Sequence, residues 1–515
     1  MTAKLSNANR RIARNSIFLT IRMFIVLVIT LFTTRIILKS LGVVDYGVYN
    51  VVCGFVSMFA FLKTSMTNGI QRFYNYSLGN DSRYTTSDVF ATSFKIQFIL
   101  AIIIVGLTES VGLWYLYNKM VIPPDRLYAA QWIFHFSVIS FLLVIMQAPF
   151  SAAIMAHEHM DFYAFVSVLD AVLKLVIALC LSFFAYDHLI VYGALLLGIS
   201  IINFLLYFIY SKSHFPEIRF NKHRTKSLFA SMLSFSGWNV FGSFSGVMKD
   251  QGINLVLNYF VGPIVNAAKG IASQVNGAFQ GVVANIAVAI RPQVIQSFAA
   301  GNITRTMRLT YSISKISCCA LYFVSWPIII EINYILNIWL DGVVPQHTPS
   351  FVILVLLVSF VNCLNSAVSG VIHASGKMML YQIVSSTISI MCVPAAYIAL
   401  KLGAHPEMAF VCTLVFAALS HLVSLFIMKT IVQYSIKDYF REIVWRFLIL
   451  VLGTFIFPLI PHFLMPEGLL RLVVVLVVSL IVIAPFVYFI TFNNDERMMA
   501  FLFIKSFSKR FQKQR

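Results

Sequence analysis

Residues 156–167 read AHEHMDFYAFVS, and residues 374–385 read ASGKMMLYQIVS. Ala156, Met160, Tyr163, Val166 and Ser167 return in register as Ala374, Met378, Tyr381, Val384 and Ser385, with Lys377 in place of His159 and an offset of 218 residues. A second echo lies upstream of each copy, where Gln71, Tyr76, Gly79 and Asn80 return as Gln293, Phe298, Gly301 and Asn302. In so apolar a chain, a repeat on this scale reads as a duplicated membrane bundle. Such bundles mostly move something across a bilayer.

The 515 residues are 59% hydrophobic and 11% charged, with a mean hydropathy of +0.85. Soluble domains carry about 25% charged residues. The apolar residues fall in runs of roughly 20, the length that crosses about 30 Å of hydrocarbon. Fourteen spans are predicted, near 16–38, 44–66, 90–116, 127–150, 162–184, 189–210, 228–256, 262–290, 308–330, 349–371, 379–400, 407–429, 443–461 and 469–491. The first follows a polar tail, MTAKLSNANRRIARN, and is too long for a signal-peptide core, so it is expected to stay as an uncleaved helix.

The formal net charge is +19. These charges do not cluster on a soluble domain, which argues against nucleic acid, and they follow the positive-inside rule. Lys4, Arg10, Arg11 and Arg14 precede the first span, and Arg72 and Arg83 follow the second. Lys212, Arg219, Lys222, Arg224 and Lys226 follow the sixth, and Arg497, Lys505, Lys509, Arg510, Lys513 and Arg515 end the chain. The alternate connections hold few: Lys39, Lys119, Arg126, Lys401 and Arg471. Both termini are therefore expected on the cytoplasmic side of a multi-pass protein. The seven cysteines all lie in apolar runs without CxxC spacing, so neither a disulfide nor a metal site is expected.

The repeat offset contains six spans, an even number, so both copies enter from the same face. Parallel repeats of this kind are related by an axis along the membrane normal. The expected organisation is an N-terminal lobe of helices 1–6 (1–210), a basic cytoplasmic linker (211–227), a C-terminal lobe of helices 7–12 (228–431), and helices 13–14 with a basic tail (432–515). The last two spans fall outside the repeat and read as a peripheral pair facing lipid, without interior charge. The loops are too short for a catalytic domain, and no GxxxxGK[ST] phosphate loop or Ser/His/Asp cluster stands out. An enzyme, including a membrane glycan polymerase, is disfavoured, and no cofactor beyond Na+ or H+ coupling is expected.

Polar stripes mark three spans. Asn50, Gly54, Ser57, Thr64, Asn68 and Gln71 share one helical face, as do Asn266, Lys269, Ser273, Asn276 and Gln280. Ser236, Asn239, Ser243, Gly246, Asp250 and Asn254 form a similar face. Helix packing explains small polar residues in membranes, but not a lysine among them. Arg22, Asp170, Lys174, Lys269 and Lys315 fall well inside spans, with Lys249 and Asp250 in the outer half of span 7. Each charge at mid-bilayer costs about 2.5–3.5 kcal/mol on insertion scales. Such residues face a polar cavity or one another. Asp170 and Lys174 are four apart and able to pair, whereas Lys269 and Lys315 have no local acid, and Arg22 is near enough to an end to snorkel. The cationic surplus points to an anion-binding cavity built from Arg22, Lys174, Lys269, Lys315, Asn68, Asn266, Asn276 and Gln280, since ammonium and guanidinium groups both suit phosphate. Asp170 and Asp250 are candidates for ion coupling. His157 and His159 flank Glu158 in a turn, but the repeat places Lys377 opposite His159, which argues against a metal.

The stretches NSIFLTIRMF and TTRIILKSLGVVDYGVYN, the turn QRFYNYSLGN and the repeated Ala-x-x-[His/Lys]-Met-x-x-Tyr resemble the polysaccharide flippases, O-antigen type, of the multidrug/oligosaccharidyl-lipid/polysaccharide (MOP) transporter superfamily. The resemblance covers essentially the whole chain. It implies two six-helix lobes around a central cavity and alternating access by rocking. It implies transport of polyprenyl-pyrophosphate-linked oligosaccharide from the inner to the outer leaflet of a bacterial inner membrane, in surface polysaccharide or lipopolysaccharide biosynthesis. By position it assigns Arg22, Lys174, Lys269 and Lys315 to the anionic headgroup. The expected partners are that lipid-linked oligosaccharide, membrane lipids and glycan-assembly enzymes. Two other branches remain open: the lipid II flippases, also with fourteen helices but with an arginine pattern in span 1 that Arg22 and Arg35 do not reproduce, and the cation-coupled drug antiporters, with a more acidic cavity.

Overall fold

The computed structural model describes residues 2–78, 84–218, 226–375, 378–493 and 496–497. The side chains at 2–21, 64, 68, 226, 235–241, 282–292 and 378 lie outside the description. So do several sequence features: Gly79, Asn80, Arg83, Arg219, Lys222, Arg224, Lys377, the tail from Lys505, the basic side chains of the N-terminal tail, and the side chains of Thr64, Asn68, Ser236 and Asn239.

Every element among the described residues is helical. The first half runs α1 (Thr2–Ser57), α2 (Ala60–Ser77), α3 (Thr86–Leu107), α4 (Leu113–Asn118), α5 (Leu127–Met146), α6 (Ala148–Ala156), α7 (Met160–Cys180) and α8 (His188–His214). Next come α9 (Lys226–Val261), α10 (Pro263–Ala299), α11 (Ile303–Ile330), α12 (Ile332–Trp339), α13 (Thr348–Ala374), α14 (Met378–Ile390), α15 (Cys392–Lys401) and α16 (Met408–Ile431). The chain ends with α17 (Ile436–Tyr439), α18 (Arg446–Thr454), α19 (Leu459–Leu464) and α20 (Leu469–Phe486). Eleven helical runs among the described residues are long and apolar enough to cross a membrane. The chain is an all-α, multi-pass membrane protein.

Four expectations need revision. The N-terminal tail is not separate from the first span, because α1 is helical from Thr2. Spans 1 and 2 are not joined by a loop. The helix kinks at Gly42 (φ 78°, ψ 169°), a conformation that glycine adopts without a Cβ clash. Span 2 does not stop near residue 66. After a break at Met58–Phe59 the helix resumes as α2 and runs to Ser77, which puts Lys63 inside the helical run. The connection between the predicted spans at 308–330 and 349–371 is not a plain loop, since α12 occupies its first half. The predicted spans at 228–256 and 262–290 fall on α9 and α10, helices of 36 and 37 residues.

Both copies of the repeated motif start a helix, α7 at Met160 and α14 at Met378. In the upstream echo, Gly301 has φ 71° and Asn302 caps α11, its side chain accepting from the Arg305 N–H at 3.0 Å. That satisfies one of the orphan donors of the first turn.

The chain divides into two compact units. Unit 1 comprises Met1–Gln274, Trp339–Thr348 and Ser389–Cys412, and unit 2 comprises Val275–Ile338, Pro349–Ile388 and Thr413–Arg515. Lipid tails are as apolar as leucine, so helices associate through close packing and polar pairs rather than through burial from water. Unit 1 shows both. Phe150 meets Phe90, Phe204 and Phe208 with ring centroids 5.4, 6.1 and 5.6 Å apart. Gly47 lets α1 lie directly against the start of α10, since a Cβ there would fall 1.9 Å from the Pro263 carbonyl oxygen. Arg126 binds Asp45 and, at 2.7 Å, Asp187, joining three elements at one end of the unit.

In unit 2, α11 packs through Ile313, Met307 and Leu309 against Val368, Val371, Leu425 and Met428. Cys319 and Tyr322 of α11 also cluster with Leu450 and Ile483, so the last two spans dock on α11. Charge sits at their ends. Arg446 of α18 binds Glu442 at 3.1 Å, Asn493, and the Thr491 carbonyl at 3.2 Å. The guanidinium thereby fastens one span to the end of the other.

Candidate functional site

A polar cavity of about 450 Å³ opens within unit 1 between α1, α7, α8, α9 and α10. Its walls carry Lys174, Asp250 and Lys269, the amides Asn50, Gln251, Asn254 and Gln274, and the phenols Tyr46, Tyr49 and Tyr192. A second cavity of about 260 Å³ shares Tyr49, Cys53, Lys174 and Leu196 with it and adds Asp170, Asn203 and Gln147. Part of each expected stripe falls on this lining. Asn50, Gly54 and Ser57 come from α1, Asp250 and Asn254 from α9, and Lys269 and Ser273 from α10.

Close backbone approach sets the walls. A Cβ on Gly54 would lie 2.6 Å from both Asn254 Nδ2 and Gln251 Oε1, and one on Gly270 would lie 2.6 Å from Asn50 Oδ1. Polar groups join the helices across these contacts. Thr34 Oγ1 donates to Gln274 Oε1 at 2.5 Å, and Gln274 Nε2 donates to Tyr46 Oη at 3.2 Å. Asn254 Nδ2 donates to the Asn50 carbonyl at 3.1 Å. Tyr49 meets Tyr192 edge-on at 5.1 Å, an arrangement favoured by the ring quadrupole.

The charges are arranged in pairs. Lys174 Nζ lies 2.7 Å from Asp170 Oδ2, realising the i,i+4 spacing, while Asn203 Nδ2 donates to Asp170 Oδ1 at 2.7 Å. Lys269 Nζ lies 3.0 Å from Asp250 Oδ1, and Gln251 Nε2 reaches Oδ2 at 3.1 Å. Lys269 is 6% exposed whereas Asp250 is 53% exposed, so the pair presents its acid outward. Arg22 lies off these walls, its guanidinium 4.8 Å from the Tyr163 ring centroid and its Nε buried without a hydrogen-bond partner.

The other candidates lie elsewhere. Lys269 and Lys315 have no acid a turn away, but each meets one distant in sequence, Asp250 for the first and Glu496 for the second. Lys315 Nζ is 2.8 Å from Glu496 Oε2 in unit 2, with side chains 1% and 3% exposed. Glu496 also accepts from Ser312 Oγ at 2.7 Å and from the Asn493 N–H at 2.8 Å. Asn266 is fully buried and donates to Asn254 Oδ1 at 2.8 Å and to the Asn254 carbonyl at 2.7 Å, so its amide joins α9 to α10 instead of lining the cavity. Asn276 belongs to unit 2, where it accepts from Ser359 Oγ at 2.8 Å, and half-buried Gln280 belongs there too. Asn68 falls outside the described side chains. His157 and His159 hold loop structure: His157 Nε2 lies 2.6 Å from Glu217 Oε1, and His159 Nδ1 lies 2.7 Å from Tyr210 Oη.

Sequence reading passed over Lys63. It is half-buried on α2, within electrostatic reach of Asp170 and Lys174. Its signal was a lysine three residues before the expected end of span 2, which reads as a cation near an interface. Continuation of the helix to Ser77 removes that reading. Thr34, Gln251 and Gln274 were missed because isolated neutral polar residues in a membrane helix carry no chemistry until a neighbour meets them.

One end of unit 1 is tied by a separate group of contacts. Arg35 Nη2 and Lys39 Nζ each lie 2.7 Å from Asp341, and Trp339 Nε1 donates to the Leu31 carbonyl at 2.9 Å. Hydrogen bonding from Lys39 and the nearby Arg35 charge hold the Asp341 carboxyl below its ordinary pKa. Asn258 brackets the Val121 backbone, its Oδ1 accepting from the N–H at 2.9 Å and its Nδ2 donating to the carbonyl at 3.2 Å.

No family model and no curated protein matches the sequence. Solved structures do match in fold. A lipid II flippase MurJ in an inward closed conformation superposes with a TM-score of 0.68 at 14% identity, covering 91% of this chain and 97% of that one. An inward-facing multidrug resistance MATE family transporter of the MOP superfamily gives 0.64 at 12% identity, covering 81% and 98%. A MOP superfamily transporter from Pyrococcus furiosus, described as having a binding pocket of reversed polarity, gives 0.56 at 13% identity, covering 82% and 95%. These identities speak to fold alone. With eleven membrane-length helical runs and a polar, charge-lined cavity, the chain has the fold of the MOP-superfamily transporters.

Proposed function

We propose that this chain is a flippase that moves a polyprenyl-pyrophosphate-linked oligosaccharide from the cytoplasmic to the outer leaflet of a bacterial inner membrane, by alternating access, for surface polysaccharide or lipopolysaccharide assembly. The observation that carries this reading is the make-up of the unit 1 interior. Lys174 and Lys269 line its cavities with their partners Asp170 and Asp250 among amides and phenols, and Lys63 and Arg22 add two cations off those walls. Ammonium groups answer a diphosphate, and amide and tyrosine surfaces answer sugar hydroxyls. Both termini lie in the cytoplasm in this reading, two six-helix lobes rock about the cavity, and helices 13–14 form a peripheral pair. The polyprenyl tail stays in lipid while the headgroup crosses. A negative-inside potential favours outward movement of an anion by about 2.3 kcal/mol per charge per 100 mV. Contacts with glycan-assembly enzymes would deliver the substrate.

A second reading, a cation-coupled drug antiporter, draws on the exposed carboxylate of Asp250 beside the cavity. There Asp170 and Asp250 would carry the coupling cation and an organic cation would be the substrate. Two double variants separate the readings in cells expressing the full chain at matched levels. Lys174→Gln with Lys269→Gln should cut surface glycan export, while Asp170→Asn with Asp250→Asn should leave most of it. The opposite pattern, with loss of drug resistance from the second variant, refutes the flippase reading.

A further inference from the structure

The smaller cavity of unit 1 lies between α1, α5, α7 and α8 and shares a wall with the larger one at Tyr49, Cys53, Lys174 and Leu196. Helix α5 supplies much of its lining. Phe136, Ser140, Val144 and Gln147 follow spacings of four, four and three residues, which places them on one helical face. Gln147 stands at the junction of α5 and α6, two residues before Pro149. A proline there has no N–H for the Ile145 carbonyl, so the helix is interrupted where the Gln147 side chain meets the cavity.

The charges on this wall cancel. Its carboxylate and its ammonium, Asp170 and Lys174, meet at 2.7 Å, and the other Asp170 oxygen accepts from Asn203 Nδ2 at 2.7 Å. What stays open is neutral. Asn203 Oδ1 is buried without a hydrogen-bond partner. The Gln147 amide and the Ser140 hydroxyl make no side-chain hydrogen bond among the described residues. A buried acceptor left open is costly, so this wall is built for a hydrogen-bonding ligand. Amide and hydroxyl groups each donate and accept. Sugar hydroxyls do the same, and the C–H faces of a sugar rest on aromatic rings such as Phe136 and Tyr49. At about 260 Å³ the cavity falls just under the about 300–1,000 Å³ of sites for drug-sized ligands, which suits a single ring.

We propose that the smaller cavity is a sugar subsite. It takes one neutral pyranose ring of the transported glycolipid, with Asn203 Oδ1, the Gln147 amide and the Ser140 hydroxyl as its hydrogen-bond partners. This inference rests on the flippase reading and deepens it: these neutral groups select the glycan, and the lipid and its diphosphate stay outside the smaller cavity.

The test is equilibrium binding to the full chain in nanodiscs, with polyprenyl diphosphate bearing one N-acetylglucosamine and bare polyprenyl diphosphate as probes. Variants are Gln147→Met, which removes the amide at similar length, Ser140→Leu, which fills the cavity, and Ser140→Thr, which keeps the hydroxyl. The wild-type chain should bind the glycosylated lipid about tenfold more tightly than the bare lipid. Gln147→Met and Ser140→Leu should each bring that ratio to about one, while their affinity for the bare lipid stays within about threefold of wild type. Ser140→Thr should keep the wild-type ratio. A ratio that stays near wild type in Gln147→Met or Ser140→Leu overturns the proposal, and if one of the two fails to fold the other decides. A wild-type chain that binds both lipids equally overturns the sugar subsite and leaves the flippase reading standing. A wild-type chain that binds neither lipid overturns the flippase reading itself.

Discussion

Replacing Glu496 with Gln isolates the buried pair of unit 2. Lys315 and Glu496 are 1% and 3% exposed, and the carboxylate also accepts from Ser312 Oγ and the Asn493 N–H. A glutamine nearly preserves shape but leaves the ammonium without a counter-charge. Removing one partner of a buried pair costs about 3–5 kcal/mol, because the remaining charge stays desolvated. At about 2–4 °C per kcal/mol for a domain of 150–250 residues, the melting temperature should fall by about 6–20 °C. Replacing both partners, Lys315→Met with Glu496→Leu, removes the orphan, and such exchanges are often neutral or stabilising. The assay is thermal unfolding of the purified chain in one detergent, followed by transport by the double variant. A small shift for Glu496→Gln, or a double variant that melts as low as the single, would refute the assignment of Lys315 to a structural pair. A stable double variant without transport would return Lys315 to the substrate path.

Two further predictions follow from the packing of unit 1. Gly47→Ala places a methyl group 1.9 Å from the Pro263 carbonyl oxygen, and backbone cannot move aside as a side-chain tip can. Overpacking of this kind costs about 1–3 kcal/mol or more, so the yield of folded protein and its melting temperature should both drop, while a wild-type melting curve would contradict the close approach of α1 to α10. Asp341 has its pKa depressed by Lys39 and Arg35 in the folded chain. The stabilisation it contributes is therefore complete above the unfolded carboxylate value of about 3.9 and is lost as pH falls through the lower folded value. Asp341→Asn should lower stability slightly at neutral pH, less so in high salt, and should flatten the acid limb of the pH–stability curve. An unaltered acid limb would show that the contact carries no charge-dependent stability.

How much of this was legible in the sequence depends on the range of each interaction. Hydropathy marks membrane helices because crossing lipid demands about 20 apolar residues whatever the tertiary contacts. The Asp170–Lys174 pair was legible because both partners lie one helical turn apart. The partner of Lys315 was not, since Glu496 lies 181 residues away and neither helical period nor repeat links them. Asn266 shows a different limit. Spacing put it on the same face as Lys269, but spacing cannot separate an amide that lines a cavity from one satisfied by a neighbouring helix. Lys63 was missed because the end of its helix was misplaced, and a lysine read as interfacial carries little information.

Carriage of an anionic lipid-linked oligosaccharide through the unit 1 interior can be followed by reconstitution. Purified full-length chain in liposomes is given a fluorescent polyprenyl-diphosphate oligosaccharide on one face, and its appearance on the other is followed with a membrane-impermeant quencher. Flipping should depend on the protein, and Lys174→Gln with Lys269→Gln should slow it by at least about tenfold. Flipping no faster than in protein-free liposomes, alongside proton- or sodium-driven uptake of organic cations by the same vesicles, would contradict it.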